Sequence, residues 1–192
     1  MRSLILIIFS MLIISGCQAR NSGLLDTSKL KKEEVEGNLT EEQLSSIPAV
    51  YKTPSLEVAL AAVPFKVDLP KELPFETSGF NLIEIQDWND REDKKDISIE
   101  LQALGETSPP LDKNVIVLIH DFEVSYVPSG IKVTLQNGTE ARYDMDHKSS
   151  GGINFVDDGL YISIRYTNTE EEFEKEKMLE TLVSLANQML QK

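Results

Sequence analysis

Apolar and polar residues alternate along this chain with two different periods. Between residues 56 and 63 the apolar positions are Leu56, Ala59, Leu60 and Val63, the spacing of one helical face. Pro54 stands at the first helical position, where its missing N–H costs nothing, and Pro64 stops the helix. Upstream, Thr40-Glu41-Glu42-Gln43 reads as a capping box opening a short helix that ends near Ser46, before Pro48. Phe65-Lys66-Val67 reads as a short extended piece closed by Pro70 and Pro74. The period then becomes two. Ile97, Ile99, Leu101 and Ala103 alternate with polar residues, as in a strand with one buried face. Phe80 and Leu82 share one phase and Ile83 and Ile85 the other, which predicts a β-bulge. Residues 115–119 are all apolar and Phe122, Val124 and Tyr126 continue the alternation, so a long central strand is expected over 115–126.

Two hairpins can be read to the level of register. Around Asn137-Gly138, a two-residue turn would put the apolar sets of the two strands on opposite faces. A three-residue turn, Gln136 to Gly138, sets Val133 against Ala141 and Ile131 against Tyr143, so that turn is predicted, with Gly138 left-handed in a bulge. At Asp158-Gly159 the two-residue turn sets Phe155 against Ile162 and Ile153 against Ile164. The other face of that hairpin, Val156 with Tyr161 and Asn154 with Ser163, is mixed.

Met178, Leu179, Leu182, Leu185, Ala186 and Met189 form one stripe of a closing helix, whose start is expected at a Thr169/Glu172 capping box. Phe173 falls opposite that stripe, so either the helix is irregular there or Phe173 touches a neighbouring loop or a partner. The predicted fold class is α+β: a mostly antiparallel sheet of about seven or eight strands, with N-terminal helices and a long C-terminal helix packed on it.

The first residues belong to none of this. Met1-Arg2-Ser3 is followed by an apolar run, Leu4 to Ile14, broken only by Ser10. At about 16 Å of helix the run is too short to span a bilayer core. A charged start, a short apolar core and small residues at its end are the features of a secretory signal. The end, Ile14-Ser15-Gly16-Cys17, resembles the lipobox of bacterial lipoproteins. That resemblance implies that residues 1–16 are removed as a signal peptide and that the thiol of Cys17 carries a diacylglycerol of palmitate-type chains. Cys17 is the only cysteine and has no disulfide partner in the chain, which suits lipid attachment better than a plain signal peptide. Two acyl chains anchor stably where one does not. Residues 17–39, polar and charged with few aliphatics, are expected as a lipidated, mostly disordered tether, and 40–192 as a single domain.

The formal net charge of −13 argues against a nucleic-acid partner, since phosphate neutralisation needs Lys and Arg, and against lying flat on an anionic membrane. Solubility explains it without a partner.

Residues 53–191 resemble a domain of unknown function found in extracytoplasmic lipoproteins and anti-sigma-factor ectodomains of Gram-positive, Bacillus-type bacteria. The likeness rests on LEVALAAVPFKVDLPKELP at 56–74, NGTEARY at 137–143, and INFVDDGLYISIRY at 153–166 followed by a helix ending LVSLANQM. These motifs are structural and imply no catalytic residue.

Candidate chemistry is sparse. His120, in phase with Phe122 and Val124, reads as a partly buried, hydrogen-bonded core histidine, and Asp121 points to the other face, so the two form no dyad. The 144–152 stretch holds His147, Ser149, Ser150 and two glycines, which could serve a hydrolase but read better as a loop between strands. Asp87 to Asp96 fails the EF-hand pattern, with Arg91 at position five, Glu92 at six and Ser98 at twelve. Trp88 is either a core anchor or an exposed binding residue. No zinc spacing, phosphate loop or dinucleotide fingerprint is present, so no metal, cofactor or catalytic residue is expected. The expectation is a non-enzymatic binding or interaction module of the cell envelope. It would be lipid-anchored at the extracytoplasmic face of the cell membrane, with an envelope protein or small ligand as partner. The alternative is a carrier of a small apolar ligand, and a hydrolase comes last.

Overall fold

The computed structural model describes residues 24–35, 37, 39–88, 96–106, 112–123 and 130–191. The described chain is α+β. A single sheet is built from β1 (Lys31–Lys32), β2 (Ala49–Lys52), β3 (Phe80–Asp87), β4 (Ile97–Leu104), β5 (Lys113–His120), β6 (Ile131–Thr134), β7 (Glu140–His147), β8 (Ser150–Asp157) and β9 (Leu160–Asn168). Its strand order is β1-β2-β3-β4-β5-β9-β8-β7-β6, and every pairing is antiparallel. Two meanders, β1 to β5 and β6 to β9, therefore meet where β5 pairs with β9.

Among the described residues there are nine strands, not seven or eight. The two extra ones lie where no alternation marks them. Ala49–Lys52 sits between a short helix and Pro54, and Lys31–Lys32 falls within the segment expected as tether. From Leu24 that segment is part of the fold. Leu25 is buried in the core, Asp26 N donates to Ala62 O at 2.9 Å, and β1 closes one edge of the sheet against β2.

Both hairpins have the predicted registers. Val133 faces Ala141 and Ile131 faces Tyr143, with Gly138 at φ +90°. Phe155 faces Ile162 and Ile153 faces Ile164, with Asp158 and Gly159 both at positive φ, as a type I′ turn requires. The bulge between Phe80 and Leu82 is also present.

The long central strand is shorter than expected. β5 is central but ends at His120, because the Asp121 carboxylate accepts from Ile97 N at 2.7 Å and so occupies a backbone donor of β4. Val124 and Tyr126 lie outside the described residues.

The helices are α1 (Glu41–Ser45), α2 (Leu56–Ala62) and α3 (Lys175–Met189). The Thr40/Gln43 capping box closes both ways, at 3.2 and 2.9 Å. α2 begins two residues later than the proline suggests, with Ser55 as cap accepting from Val58 N. The Thr169/Glu172 capping box does not form. Thr169 Oγ1 donates to Asp112 Oδ1, Glu170 N is satisfied by Asn168 Oδ1, and α3 starts at Lys175. Phe173 therefore precedes the helix, and its angle on the helical wheel is irrelevant. It is buried edge-on against Tyr166, with centroids 5.7 Å apart, as part of the core.

α2 packs on β3, and α3 on β7, β8 and β9. Gln188 of α3 holds the connecting strap by accepting from Lys71 N and Glu72 N at 2.9 Å each. Phe65, Val67, Leu69, Leu73 and Phe75 of that strap pack against the same core. Ile85, Ile99, Leu101, Val117, Ile153 and Ile164 all lie on this one covered face of the sheet and are fully buried.

Candidate functional site

The opposite face of the sheet is the candidate site. Antiparallel partners share a face, so its composition follows from the register. One row reads Gln86, Ser98, His120, Tyr161, Val156 across β3, β4, β5, β9 and β8. Ile116 and Leu118 of β5 lie on the same face and are only half-buried. Val156 is 45 % exposed and Leu82 50 %.

The aromatic corner of this face is built at the ends of β3 and β5. Trp88 follows β3 directly and is 49 % exposed, so it is not a core anchor. Its Nε1 donates to Ser98 Oγ at 3.3 Å, and its ring meets the edge of Phe122 with centroids 6.4 Å apart. Phe122 in turn meets His120 edge-on at 5.0 Å. The hydrogen bond aims the indole while leaving about half of it in water, the arrangement of an aromatic side chain at a recognition surface.

His120 is half-buried as expected, but it belongs to this open face and not to the core, because Ile119 is the residue of that pair turned to the helices. Burial holds its imidazole below the usual histidine range, and Nδ1 has no hydrogen-bond partner among the described residues. Behind the corner three carboxylates gather. Burial pushes Asp121 up to about 6, against the hydrogen bond from Ile97 N, with Asp96 and Asp87 adding repulsion.

Farther along the face Glu84 and Glu100 stand directly opposite each other. Burial raises the Glu100 carboxyl, and Glu84 raises it further.

The 144–152 stretch is strand, not loop. β7 runs to His147 and β8 starts at Ser150, leaving a turn at Lys148-Ser149. Gly151 faces α3, where a Cβ would come within 2.8 Å of Met178 Cγ, so the glycine is what lets the helix close on the sheet. Ser150 Oγ is hydrogen-bonded with Thr167 Oγ1 at 3.1 Å, and His147 is exposed. His147 and Ser150 are register partners across the turn, but among the described residues no hydrogen bond joins them.

A cleft of about 600 Å³ opens beside Tyr166, which stacks on Phe75 at 6.1 Å, with Lys113, Glu171 and Lys177 among its lining residues. Lys113 is tied to Glu170 at 2.5 Å. Cys17 lies outside the described residues. No helix among the described residues is long and apolar enough to cross a membrane.

Sequence reasoning singled out Trp88 and His120 but could not join them. The pairing of β4 with β3 and β5 does so, and the polar side of the alternating β4 and β9 patterns was the available signal.

No family model, no curated protein and no solved structure matches the chain.

Proposed function

We propose that the protein is an extracytoplasmic lipoprotein, anchored to the cell membrane through diacylglycerol on Cys17, whose domain is a non-enzymatic interaction module of the envelope. The observation that carries the second half is the open sheet face with its half-exposed Trp88. Large aromatics that are exposed yet held in place are enriched where proteins bind one another. The Ile14-Ser15-Gly16-Cys17 motif carries the first half. Leu25 is already buried in the core, so few residues separate Cys17 from the domain. Residues 18–23 can reach at most about 20 Å fully extended, so the domain stands close to the membrane surface.

Two experiments test this reading. Cys17→Ala is expected to move the protein from the membrane fraction into the medium, or to leave it as unprocessed precursor; unchanged, detergent-releasable membrane association would refute the anchor. A photo-crosslinking residue at Val156 is expected to give protein adducts in intact cells that one at Ser184, exposed on α3, does not. The carrier reading makes a different prediction, a mass surplus on the native full chain in detergent that vanishes on denaturation. The interaction reading expects equal masses.

A further inference from the structure

The open face carries a charge pattern with a symmetry of its own. One continuous row of cross-strand partners runs Glu84, Glu100, Leu118, Ser163, Asn154, Arg142, Lys132, on β3, β4, β5, β9, β8, β7 and β6. Its acidic end is two carboxylates directly opposite each other, and its basic end is two cations directly opposite each other. Like charges so placed destabilise a sheet. Both pairs lie on the same face, and β9 is the middle strand between them. Glu100 and Arg142 are each two strands from β9, and Glu84 and Lys132 each three.

The surrounding charges leave this polarity in place. Lys52 continues the row beyond Glu84 and offsets part of its charge, but its ammonium is ion-paired with Glu33. Lys132 pairs with Glu140 at 2.8 Å, so the basic end sets two cations against one carboxylate. Arg142 Nη1 donates to the Gly130 carbonyl at 3.4 Å, and the Arg142 charge also attracts Glu140. Nearer the axis, Arg165 Nη2 of β9 and Asp144 Oδ1 of β7 converge over Gly152 of β8, 3.9 and 3.2 Å from where its Cβ would stand.

We infer that the open face is a docking surface for a second copy of this chain, related by a two-fold axis that runs parallel to the strands above β9. This deepens the interaction-module reading and rests on it. Rotation about that axis lays β4 of one copy over β7 of the other and β3 over β6. Glu84 and Glu100 of each copy then face Lys132 and Arg142 of its mate, and both like-charge pairs are relieved at once. The interface is isologous, the commonest kind in soluble oligomers. Six spacings of about 4.8 Å between seven strands, and eight residues at about 3.3 Å, give at most roughly 760 Å² per copy, less where β6 has only four residues, near the ~800 Å² of a standard interface. Ile116, Leu118, Tyr161 and Val156 supply its apolar part. With the axis normal to the membrane both N-termini sit at the same height, and two anchored copies meet at raised effective concentration. That offsets the repulsion expected from the net charge of −13.

Ser163 lies beneath the axis and so meets its own counterpart, across the ~10 Å that separates packed sheets. Ser163→Cys in the full chain is to be treated, in membranes of producing cells, with a bismaleimide short enough to span only that gap. Ser184→Cys on α3 is the control, and the unchanged chain with Cys17 sets the background. The expected result is a covalent homodimer from Ser163→Cys alone. Glu100→Lys or Arg142→Glu added to it should each cut the yield about tenfold, the scale of a lost close charge pair. Mixing the two variants should restore the yield, because both contacts of the heterodimer are again between opposite charges. A fold defect in either variant could not be rescued in this way. No dimer above the control overturns the inference, and so does a dimer indifferent to both reversals. If Ser163→Cys links only to a different protein, the inference falls while the interaction module stands. If no adduct forms from this face at all, both fall.

Discussion

The two faces of the sheet are made by the same strands and solve opposite problems. On the covered face Leu101, Val117 and Ile164 are successive cross-strand partners, all fully buried under α2, α3 and the strap. On the other face the residues one step away along the same strands are Glu100, Leu118 and Ser163. The first face holds the fold together. The second keeps half-buried aliphatics, opposed like charges and a half-exposed tryptophan.

That contrast can be broken most severely at its buried side. Leu182→Ala on α3 removes a fully buried side chain and should cost about 3 kcal/mol, against about 1 kcal/mol for Leu118→Ala on the open face. Urea midpoints at constant slope measure both. The adjacent glycines give a finer comparison, since they point to opposite faces. Gly151→Ala meets Met178 and should lose about 2 kcal/mol. Gly152→Ala is tight only against the end of the Asp144 side chain, with Ile164 O and Arg165 Nη2 at ordinary contact distance, and should stay within about 0.5 kcal/mol.

The third prediction concerns pH. Asp121 has its folded pKa at about 6, above the usual 3.8, so the folded state keeps a proton the unfolded state has lost. Its stabilising effect is complete below about pH 4 and fades as pH rises to about 6. Half-exposure and solvent screening hold the effect to about 1 kcal/mol. Asp121→Asn, which keeps an acceptor for Ile97 N, should abolish this decline in denaturation curves recorded from pH 4 to 7. His120, held low by burial, contributes the opposite slope, adding stability as pH rises toward its unfolded value, and that slope should emerge in the variant. The smallest effect belongs to Trp88→Ala, expected to change stability by less than about 0.5 kcal/mol while removing partner adducts at Val156. Quenching of the native protein's only tryptophan by iodide should confirm its exposure.

The parts of the fold legible in the sequence were those decided locally. Asn137-Gly138 and Asp158-Gly159 fix turn geometry, and alternation on both sides leaves one register each that keeps the apolar faces together. The stripe from Met178 to Met189 was equally plain, since a helical face needs no partner to be recognised. β1 and β2 escaped notice because a two-lysine edge and a four-residue strand have no period to detect. Thr169 was misread because its hydroxyl goes to Asp112, a residue remote in sequence. The site was illegible for a related reason. Trp88 and His120 gain their meaning from lying on the face the helices leave open, and no local pattern says which face that is.

The junction between β5 and β9 has a consequence for how the chain reaches this state. The first meander can form as soon as residue 120 is available, but its last strand then presents the whole edge of Lys113–His120 with no neighbour until Leu160–Asn168 arrives. Closing that seam spans some forty intervening residues, the kind of long-range pairing that makes β-rich chains fold slowly. During that interval an unsatisfied apolar edge is open to any other strand. A chain shortened before residue 160 would keep that edge permanently, and its fate would be self-association rather than a smaller version of the same domain.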